Sequence, residues 1–179
     1  MRIIAGAFKG RRLESPTWDG VRPTSDKLRE TLFNVIAARV PEATVLDLFA
    51  GSGALGLEAL SRGALRAVFI ERDQRAAALI ATNAARCGVR ERCVIIRDAV
   101  EHALQNRIDG GPFDLVMLDP PYAFDALADV IHAAATHLAR GGLLILEHAT
   151  RRLPPPLDGV TPIRTVRSGD NSLTMFEVR

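Results

Sequence analysis

From residue 44 onward, short runs of aliphatic residues alternate with longer, alanine-rich stretches of helical character. The short runs are apolar at every position rather than at every second one, which is typical of strands in a parallel sheet that helices cover on both faces. Glycines at 63, 88 and 141 come where a helix end favours a positive φ. We predict strands at 44–49, 66–71, 93–97, 113–119 and 142–147. We predict helices at 54–62, 73–87, 99–106 and 125–140.

The two ends of the chain depart from this alternation. The first twenty residues suit a short hairpin or an extended arm, and one amphipathic helix follows between Pro23 and Pro41. Residues 1–40 carry eight basic against four acidic side chains, whereas residues 41–150 have an acidic excess. Near the other end, two strands at 161–167 and 172–178 flank a turn and predict an antiparallel hairpin at a sheet edge. Because 179 residues fit one domain, we predict a basic extension at 1–40 and a single domain at 41–179.

Several classes of protein are disfavoured by composition. No apolar run approaches the ~20 residues needed to cross a bilayer, and the first residues lack the apolar region of a secretory signal. Cys87 and Cys93 are too few for a disulfide framework and form no CxxC pair, so we interpret them as reduced thiols. No metal-binding motif is present in the sequence. We therefore expect a cytoplasmic location, with no membrane and no metal.

A glycine-rich segment joins the first predicted strand to its helix. Gly51, Gly53 and Gly56 match the G-x-G-x-x-G pattern, in which the backbone can approach a nucleotide closely. Glu71 ends the next strand, twenty residues after Gly51, where a carboxylate can hold both hydroxyls of a ribose. Asp98 follows the third strand and is either an adenine neighbour or a helix N-cap. The pattern predicts a nucleoside-containing ligand, and NAD and S-adenosylmethionine fit it equally well.

The end of the fourth strand favours one of these ligands. Asp119, Pro120, Pro121 and Tyr122 follow it directly, and the two prolines make the backbone leave the sheet stiffly. The Asp119 carboxylate and the Pro120 carbonyl are suited to accept both N–H groups of a nucleobase amine and to aim its lone pair at an electrophile. Tyr122 would stack on an unpaired or flipped base. None of the four histidines stands at a strand end that matches hydride transfer to or from NAD.

The segments 47–56 and 119–122 resemble those of class I S-adenosylmethionine-dependent amino-methyltransferases. Residues 3–6, 9–13 and 22–34 are more specific, and they are similar to the RsmD family of bacterial 16S ribosomal RNA guanine-N2 methyltransferases. The closing residues 169–173 share this similarity. The resemblance implies an α/β, Rossmann-like class I methyltransferase fold. Its sheet would be seven-stranded and mostly parallel, with a C-terminal antiparallel hairpin and a short N-terminal extension.

The resemblance also implies a reaction, a partner and a set of site residues. The reaction is methyl transfer from S-adenosylmethionine to the N2 amine of guanine 966 in 16S rRNA. The partner is this rRNA within the small ribosomal subunit or its assembly intermediate, and the protein acts as a monomer. The implied catalytic residues are Asp119, Pro120, Pro121 and Tyr122. The implied cofactor residues are Asp47, Phe49, Ala50, Gly51, Ser52, Gly53, Glu71, Arg72, Asp98, Ala99 and Asp119. The implied RNA-binding residues are Lys9, Arg11, Arg12, Arg22 and Thr24.

Three alternatives stay open at this point. An Asp-Pro-Pro-Tyr motif also serves enzymes that methylate adenine in DNA or RNA, or the side-chain amide of a protein glutamine. An NAD-dependent oxidoreductase uses the same glycine pattern. A ribosome-assembly factor could bind RNA without turnover, although intact residues from Asp119 to Tyr122 argue against that reading.

Overall fold

The computed structural model describes residues 1–18, 26–106, 108–121 and 124–178, and this part of the chain contains five α-helices and seven strands. The helices are α1 (Asp26–Val35), α2 (Ala54–Ser61), α3 (Gln74–Cys87), α4 (Val100–Asn106) and α5 (Leu127–Ala135). The strands are β1 (Thr44–Leu48), β2 (Arg66–Ile70), β3 (Cys93–Ile96), β4 (Phe113–Leu118), β5 (Leu138–Ala149), β6 (Val160–Ser168) and β7 (Asn171–Val178).

The seven strands form one sheet in the order β3-β2-β1-β4-β5-β7-β6. Strands β1 to β5 are parallel to their neighbours, whereas β7 runs antiparallel to both β5 and β6. The last two strands are joined by the two residues Gly169 and Asp170, and Gly169 has a φ of +62°. The predicted fold is therefore confirmed, including the antiparallel hairpin.

Helices cover both faces of the sheet. Val45 and its neighbour Leu46 are both buried, and they belong to two different apolar clusters because successive strand residues face opposite sides. The cluster around Val45 includes residues of α1, α2 and α3, and the cluster around Leu46 includes residues of α4 and α5. This two-sided burial explains why the parallel strands are apolar throughout.

One predicted boundary is wrong. The helix expected at 125–140 ends at Ala135, and β5 already begins at Leu138. The reason is a tertiary contact, since the Phe113 N–H donates to the His137 carbonyl at 2.8 Å and draws this segment into the sheet. Gly141, expected as a helix cap, instead lies inside β5 with a φ of +77°, within a bulge between β4 and β5.

The first residues form a hairpin that packs on α2. A β-bridge joins Arg2 to Arg12. The Ile4 and Ala5 N–H groups donate to the two carboxylate oxygens of Glu58, at 2.8 and 3.0 Å. Of the two forms expected for the start of the chain, residues 2–12 therefore adopt the hairpin.

Both cysteines are free thiols. Burial raises the pKa of Cys93 to about 12, so this thiol stays protonated at neutral pH. Within the described ranges, no helix has the length and apolar character that crossing a membrane requires.

Candidate active site

The carboxyl ends of five parallel strands are aligned in one row. Ile96, Ile70, Leu48, Leu118 and Leu146 pair in register across β3, β2, β1, β4 and β5. The acids that the sequence singles out follow this row, since Glu71 comes directly after β2, Asp119 directly after β4 and Asp98 two residues after β3. The strand-end residues therefore meet at one edge of the sheet, where ligands of such sheets bind.

The backbone reverses sharply between β1 and α2. Phe49 has a φ of +62°, which is uncommon for a residue with a side chain, and Gly51 and Gly53 also have positive φ. At Gly56, a Cβ atom would lie 2.3 Å from Cε1 of Phe69, so glycine lets α2 pack directly on β2. Residues 49–53, which we call the glycine loop, thus lead from the end of β1 directly into the start of α2.

Glu71 is held in place by two backbone groups. Its Oε2 accepts from the Gly51 N–H at 2.8 Å, and its Oε1 accepts from the Asp73 N–H at 2.8 Å. A carboxylate has about four lone-pair sites, so both oxygens can still accept from hydroxyl groups. The side chain predicted to hold a ribose is therefore fixed against the glycine loop.

Asp47 lies behind the glycine loop. It is only 1% exposed, and its Oδ2 accepts from the Gly56 N–H at 2.9 Å. The pKa of Asp47 is raised to about 8, chiefly by burial; the hydrogen bond from Gly56 opposes this rise, and the charges of Asp119 and Glu71 add to it. Asp119 and Glu71 therefore both lie close enough to Asp47 for their charges to affect its ionisation.

Asp98 has two local partners. Its Oδ1 accepts from the Ala99 N–H at 2.9 Å, and its Oδ2 lies 2.6 Å from Nδ1 of His102. Asp98 thus lies two residues before the first residue of α4, and its contact with adenine and its role as a helix N-cap both remain predictions. His102 was not among the predicted site residues, although its spacing of four from Asp98 on a helix was a signal for this pair.

The Asp-Pro-Pro turn lies beside the glycine loop. The Pro121 carbonyl accepts from the Phe124 N–H at 3.0 Å. The Phe124 ring meets the Phe49 ring edge-on, with centroids 5.1 Å apart and an interplanar angle of 74°. The turn and the end of β1 are therefore packed together. Tyr122 lies outside the described residues.

A buried amide connects the glycine loop to the N-terminal segment. Nδ2 of Asn83 donates to the Ser52 carbonyl at 3.0 Å and to the Glu14 carbonyl at 3.1 Å. Its Oδ1 accepts from the Glu14 N–H at 2.8 Å. Sequence reasoning missed Asn83, because a single asparagine inside a helical stretch carries no signal of such distant partners.

The other predicted cofactor residues differ in exposure. Ala50, Ser52 and Gly53 are buried, Ala99 is half-buried, and Arg72 is exposed. None of the predicted cofactor roles is tested by the protein structure alone. Across the ranges that the structure describes, no group of metal-binding side chains is found.

The predicted RNA-binding residues of the hairpin lie away from the crevice. Lys9, Arg11 and Arg12 are exposed on the hairpin, which packs against Glu58 and Ser61 in the second half of α2. The helix α2 has eight residues and is therefore about 12 Å long, and the glycine loop lies at its other end. The hairpin side chains are thus separated from the glycine loop by roughly this length. Nη1 of Arg11 donates to the Arg86 carbonyl at 2.6 Å. The other two predicted RNA-binding positions, Arg22 and Thr24, fall outside the described residues.

The strand order is that of class I methyltransferases, in which one antiparallel strand, here β7, lies between β5 and β6. An RNA methyltransferase from Salinibacter ruber, solved with S-adenosyl-L-homocysteine, has this fold in common with the chain, with a TM-score of 0.66. It is 18% identical and covers 86% of this chain and 92% of its own, so it supports the fold alone. The structure of yhhF from Escherichia coli has a TM-score of 0.87 at 32% identity and covers 99% of this chain and 97% of its own.

The family model described as conserved hypothetical protein 95 matches residues 1–177. The chain belongs to this family, the RsmD family of small-subunit ribosomal RNA methyltransferases. Ribosomal RNA small subunit methyltransferase D of Escherichia coli is 42% identical to the chain over 132 residues, which are 74% of this chain and 65% of that relative. The matched region thus spans slightly less than two thirds of the relative's length.

Proposed function

We propose that this protein transfers a methyl group from S-adenosylmethionine to the exocyclic N2 amine of one guanine of 16S rRNA, guanine 966. The observation that carries the proposal is the Asp-Pro-Pro turn, packed by Phe124 against Phe49 at the edge where Glu71 supports the glycine loop. The name of the Escherichia coli relative supports rRNA as the substrate. The RNA would be met in the cytoplasm, within the small subunit or its assembly intermediate.

The residues at this edge fit the cofactor. Glu71 would hold the ribose, Asp98 and Ala99 would border the adenine, and residues 51–53 would surround the methionine part. When bound, S-adenosylmethionine supplies a methyl group already activated by a positively charged sulfur. The neighbouring carboxylates of Glu71 and Asp119 suit such a cation, because opposite charges attract strongly where water is partly excluded.

The Asp-Pro-Pro turn would orient the amine. The lone pair of a nucleobase amine is delocalised into the ring, so the amine is a weak nucleophile. If Asp119 and the Pro120 carbonyl each accept one N–H, they draw the nitrogen toward a tetrahedral geometry and direct its lone pair toward the glycine loop. Asp119 or water would take the proton that the amine releases. Tyr122 would stack on the base.

Two substitutions separate the two halves of this site. Asp119→Ala is expected to keep cofactor affinity within a few-fold while methyl transfer is lost, because this side chain is assigned to the amine. Glu71→Ala is expected to weaken cofactor binding first, because it removes the ribose ligand and the partner of the Gly51 N–H. Calorimetric cofactor titration and single-turnover transfer of labelled methyl groups measure the two effects. Unchanged turnover in Asp119→Ala would contradict the assignment.

The methylated product decides between the rival substrates. Labelled cofactor is offered to small subunits, bare rRNA, DNA and protein, and digests are analysed by mass spectrometry. N2-methylguanine in rRNA supports the proposal. N6-methyladenine or methylated glutamine supports the alternative amino-methyltransferases. Binding of NAD without binding of S-adenosylmethionine supports an oxidoreductase, and binding of cofactor and RNA without transfer supports an assembly factor.

A further inference from the structure

Three exposed arginines lie at the carboxyl ends of β5 and β6, and they were not among the predicted RNA-binding residues. Arg151 and Arg152 belong to the turn that follows β5, and Arg167 is the penultimate residue of β6. The turn between β6 and β7 adds one acidic side chain, that of Asp170. We call the surface formed by the three arginines the arginine rim.

The arginine rim lies at the same edge of the sheet as the crevice. Strands β5 and β6 both run antiparallel to β7, so their carboxyl ends lie at one edge. Ser172 of β7 pairs with both His148 and Arg167, which places Arg167 just beyond the row of strand ends. Three strand spacings, about 14 Å, separate β6 from β4 and thus from Asp119. The turn that follows β5 is closer, because β5 pairs directly with β4.

The turn that follows β5 is fixed by its backbone. The Thr150 N–H donates to the Asp170 carbonyl at 2.8 Å, and the Arg152 N–H donates to the Ala149 carbonyl at 2.9 Å. Nδ1 of His148 donates to the Arg152 carbonyl at 2.9 Å. The turn is therefore anchored both to β5 and to the turn between β6 and β7. A partner that binds there need not order this backbone first.

The arginine rim lies on the face of the sheet opposite to the N-terminal hairpin. Nε2 of His148 lies 2.8 Å from Oγ1 of Thr174, which lies 3.0 Å from Oγ1 of Thr165. Arg167 shares the face of Thr165, because side chains alternate along a strand. Leu146 shares the face of His148 and belongs to the cluster that α4 and α5 cover. The hairpin, by contrast, packs on α2 at the other face.

The charges of the arginine rim are available to a partner. Among the residues that the structure describes, no acid forms an ion pair with Arg151 or Arg167. Charged side chains on an edge strand also prevent pairing with a second sheet, and this explanation suits Arg167. It does not suit Arg151 and Arg152, which lie outside the strands. A guanidinium group donates two parallel hydrogen bonds to a phosphate, so clustered arginines fit the backbone of a nucleic acid.

We propose that the arginine rim is a second RNA-binding surface, which contacts backbone phosphates of the rRNA that carries the target guanine. The inference rests on the proposed function, in which this guanine is held at Asp119. The bound RNA would extend from the hairpin on the α2 side, across the acidic strand ends, to the arginine rim on the α5 side. Its phosphates, which the acids repel, would be attracted on both sides of the crevice.

The test removes the three charges together. In Arg151→Ala/Arg152→Ala/Arg167→Ala, the slope of log K against log salt for 16S rRNA is expected to fall by roughly 2 to 3, because each lost phosphate contact removes about 0.7 to 0.9. We expect the KM for small subunits to rise roughly tenfold, while kcat and the affinity for S-adenosylmethionine stay within a few-fold. Filter binding at several salt concentrations and initial rates of methyl transfer measure these effects. An unchanged slope would overturn the inference.

Two further variants are the controls. Arg151→Lys/Arg152→Lys/Arg167→Lys keeps the charges and is expected to retain most of the slope, because counterion release depends on charge. Arg140→Ala removes one exposed charge near the start of β5, at the opposite edge of the sheet, and is expected to leave the slope unchanged. A lysine variant with the slope of the alanine variant would contradict phosphate binding by the arginine rim.

The results separate this inference from the proposed function. RNA binding is measured without cofactor, so the slope reports on the arginine rim even in a protein that transfers no methyl group. If no guanine is methylated but the alanine variant lowers the slope, the proposed function fails and the arginine rim remains an RNA-binding surface. If guanine is methylated and the alanine variant keeps the original slope, only the arginine rim is refuted. Because the three side chains are exposed, the variant is expected to keep the original melting temperature, which thermal unfolding measures.

Discussion

Three acidic side chains, Asp47, Glu71 and Asp119, interact electrostatically at the carboxyl edge of the sheet. Asp47 is the most buried of them, and burial raises its pKa from 3.8 to about 8. At neutral pH this carboxyl group therefore carries a proton in the folded protein and loses it in the unfolded chain. The difference in proton binding makes part of the folding free energy depend on pH.

Asp47→Asn is expected to remove this dependence. Below about pH 4 the group is neutral in both states. Between about pH 4 and pH 8 this carboxyl group ionises only in the unfolded chain. The free energy of unfolding therefore falls as the pH rises, by roughly 1.4 kcal/mol for each pH unit. The asparagine oxygen can still accept from the Gly56 N–H. Urea denaturation from pH 4 to pH 8 should show a flatter profile for the variant.

The control for this experiment is Asp129→Asn, which makes the same change on the exposed face of α5. Its pH profile is expected to match that of the unsubstituted protein. An Asp47→Asn profile with the original slope would show that Asp47 ionises alike in both states.

At the scale of elements, the N-terminal segment is tied to α3 and to the glycine loop. Asn83 bonds to Glu14 and to Ser52, and Nη2 of Arg86 pairs with Oε1 of Glu14. The Arg75 guanidinium lies 4.6 Å from the centre of the Trp18 ring. Residues 14–18 thus run along α3 from its second half to its first turn. Glu71 lies next to this first turn, because it accepts from the Asp73 N–H. The glycine loop is therefore supported by an element outside the sheet.

Asn83→Asp is expected to disturb this support. The substitution replaces two amide donors with a carboxylate that faces the Ser52 and Glu14 carbonyls. Leaving buried polar groups without partners costs about 1–3 kcal/mol, so cofactor affinity should fall roughly tenfold and the melting temperature should drop. Calorimetric titration of S-adenosylmethionine and thermal unfolding measure both effects. Thr82→Ala, at an exposed neighbour on α3, should change neither. Unaltered cofactor affinity in Asn83→Asp would show that the loop does not depend on Asn83.

At the scale of the molecule, charge is separated between the hairpin and the crevice. The hairpin exposes Lys9, Arg11 and Arg12, whereas acids cluster at the strand ends. Phosphate groups would be attracted to the hairpin, and the acidic crevice would favour the cofactor cation. A long RNA could contact both regions, because they are separated by roughly the length of α2.

Lys9→Ala and Arg12→Ala are each expected to reduce the salt dependence of RNA binding. Each phosphate contact contributes a slope of roughly 0.9 on duplex or ~0.7 on single-stranded nucleic acid in a plot of log K against log salt. The loss of one contact should lower the slope by about that amount and leave cofactor affinity unchanged. Filter binding to rRNA at several salt concentrations measures the slope. Arg140→Ala, at an exposed position near the start of β5, is the charge-matched control. Equal slopes for all four proteins would exclude the hairpin as the RNA contact.

The sequence predicted the parts of the site that depend on local patterns. Gly51, Gly53 and Glu71 stand at fixed distances from strand ends, and parallel strands bring those ends to one edge of a sheet. The boundary between α5 and β5 was missed, because a hydrogen bond from Phe113 to His137 overrides the helical pattern there. Such a contact between neighbouring elements leaves no trace in the periodicity of one segment.

The sequence by itself therefore determined the alternation of strands and helices, the glycine loop and the row of acids, because each of these follows from short-range spacing. Only the tertiary structure brought Arg152 and Arg167 to one side of the crevice, since the turn after β5 and the end of β6 are apart in the chain and meet through β7. It alone joined Asn83 to Ser52, and it alone buried Asp47 deeply enough to raise its pKa. Burial and long-range pairing arise when elements pack, and no local pattern encodes which side chains then meet.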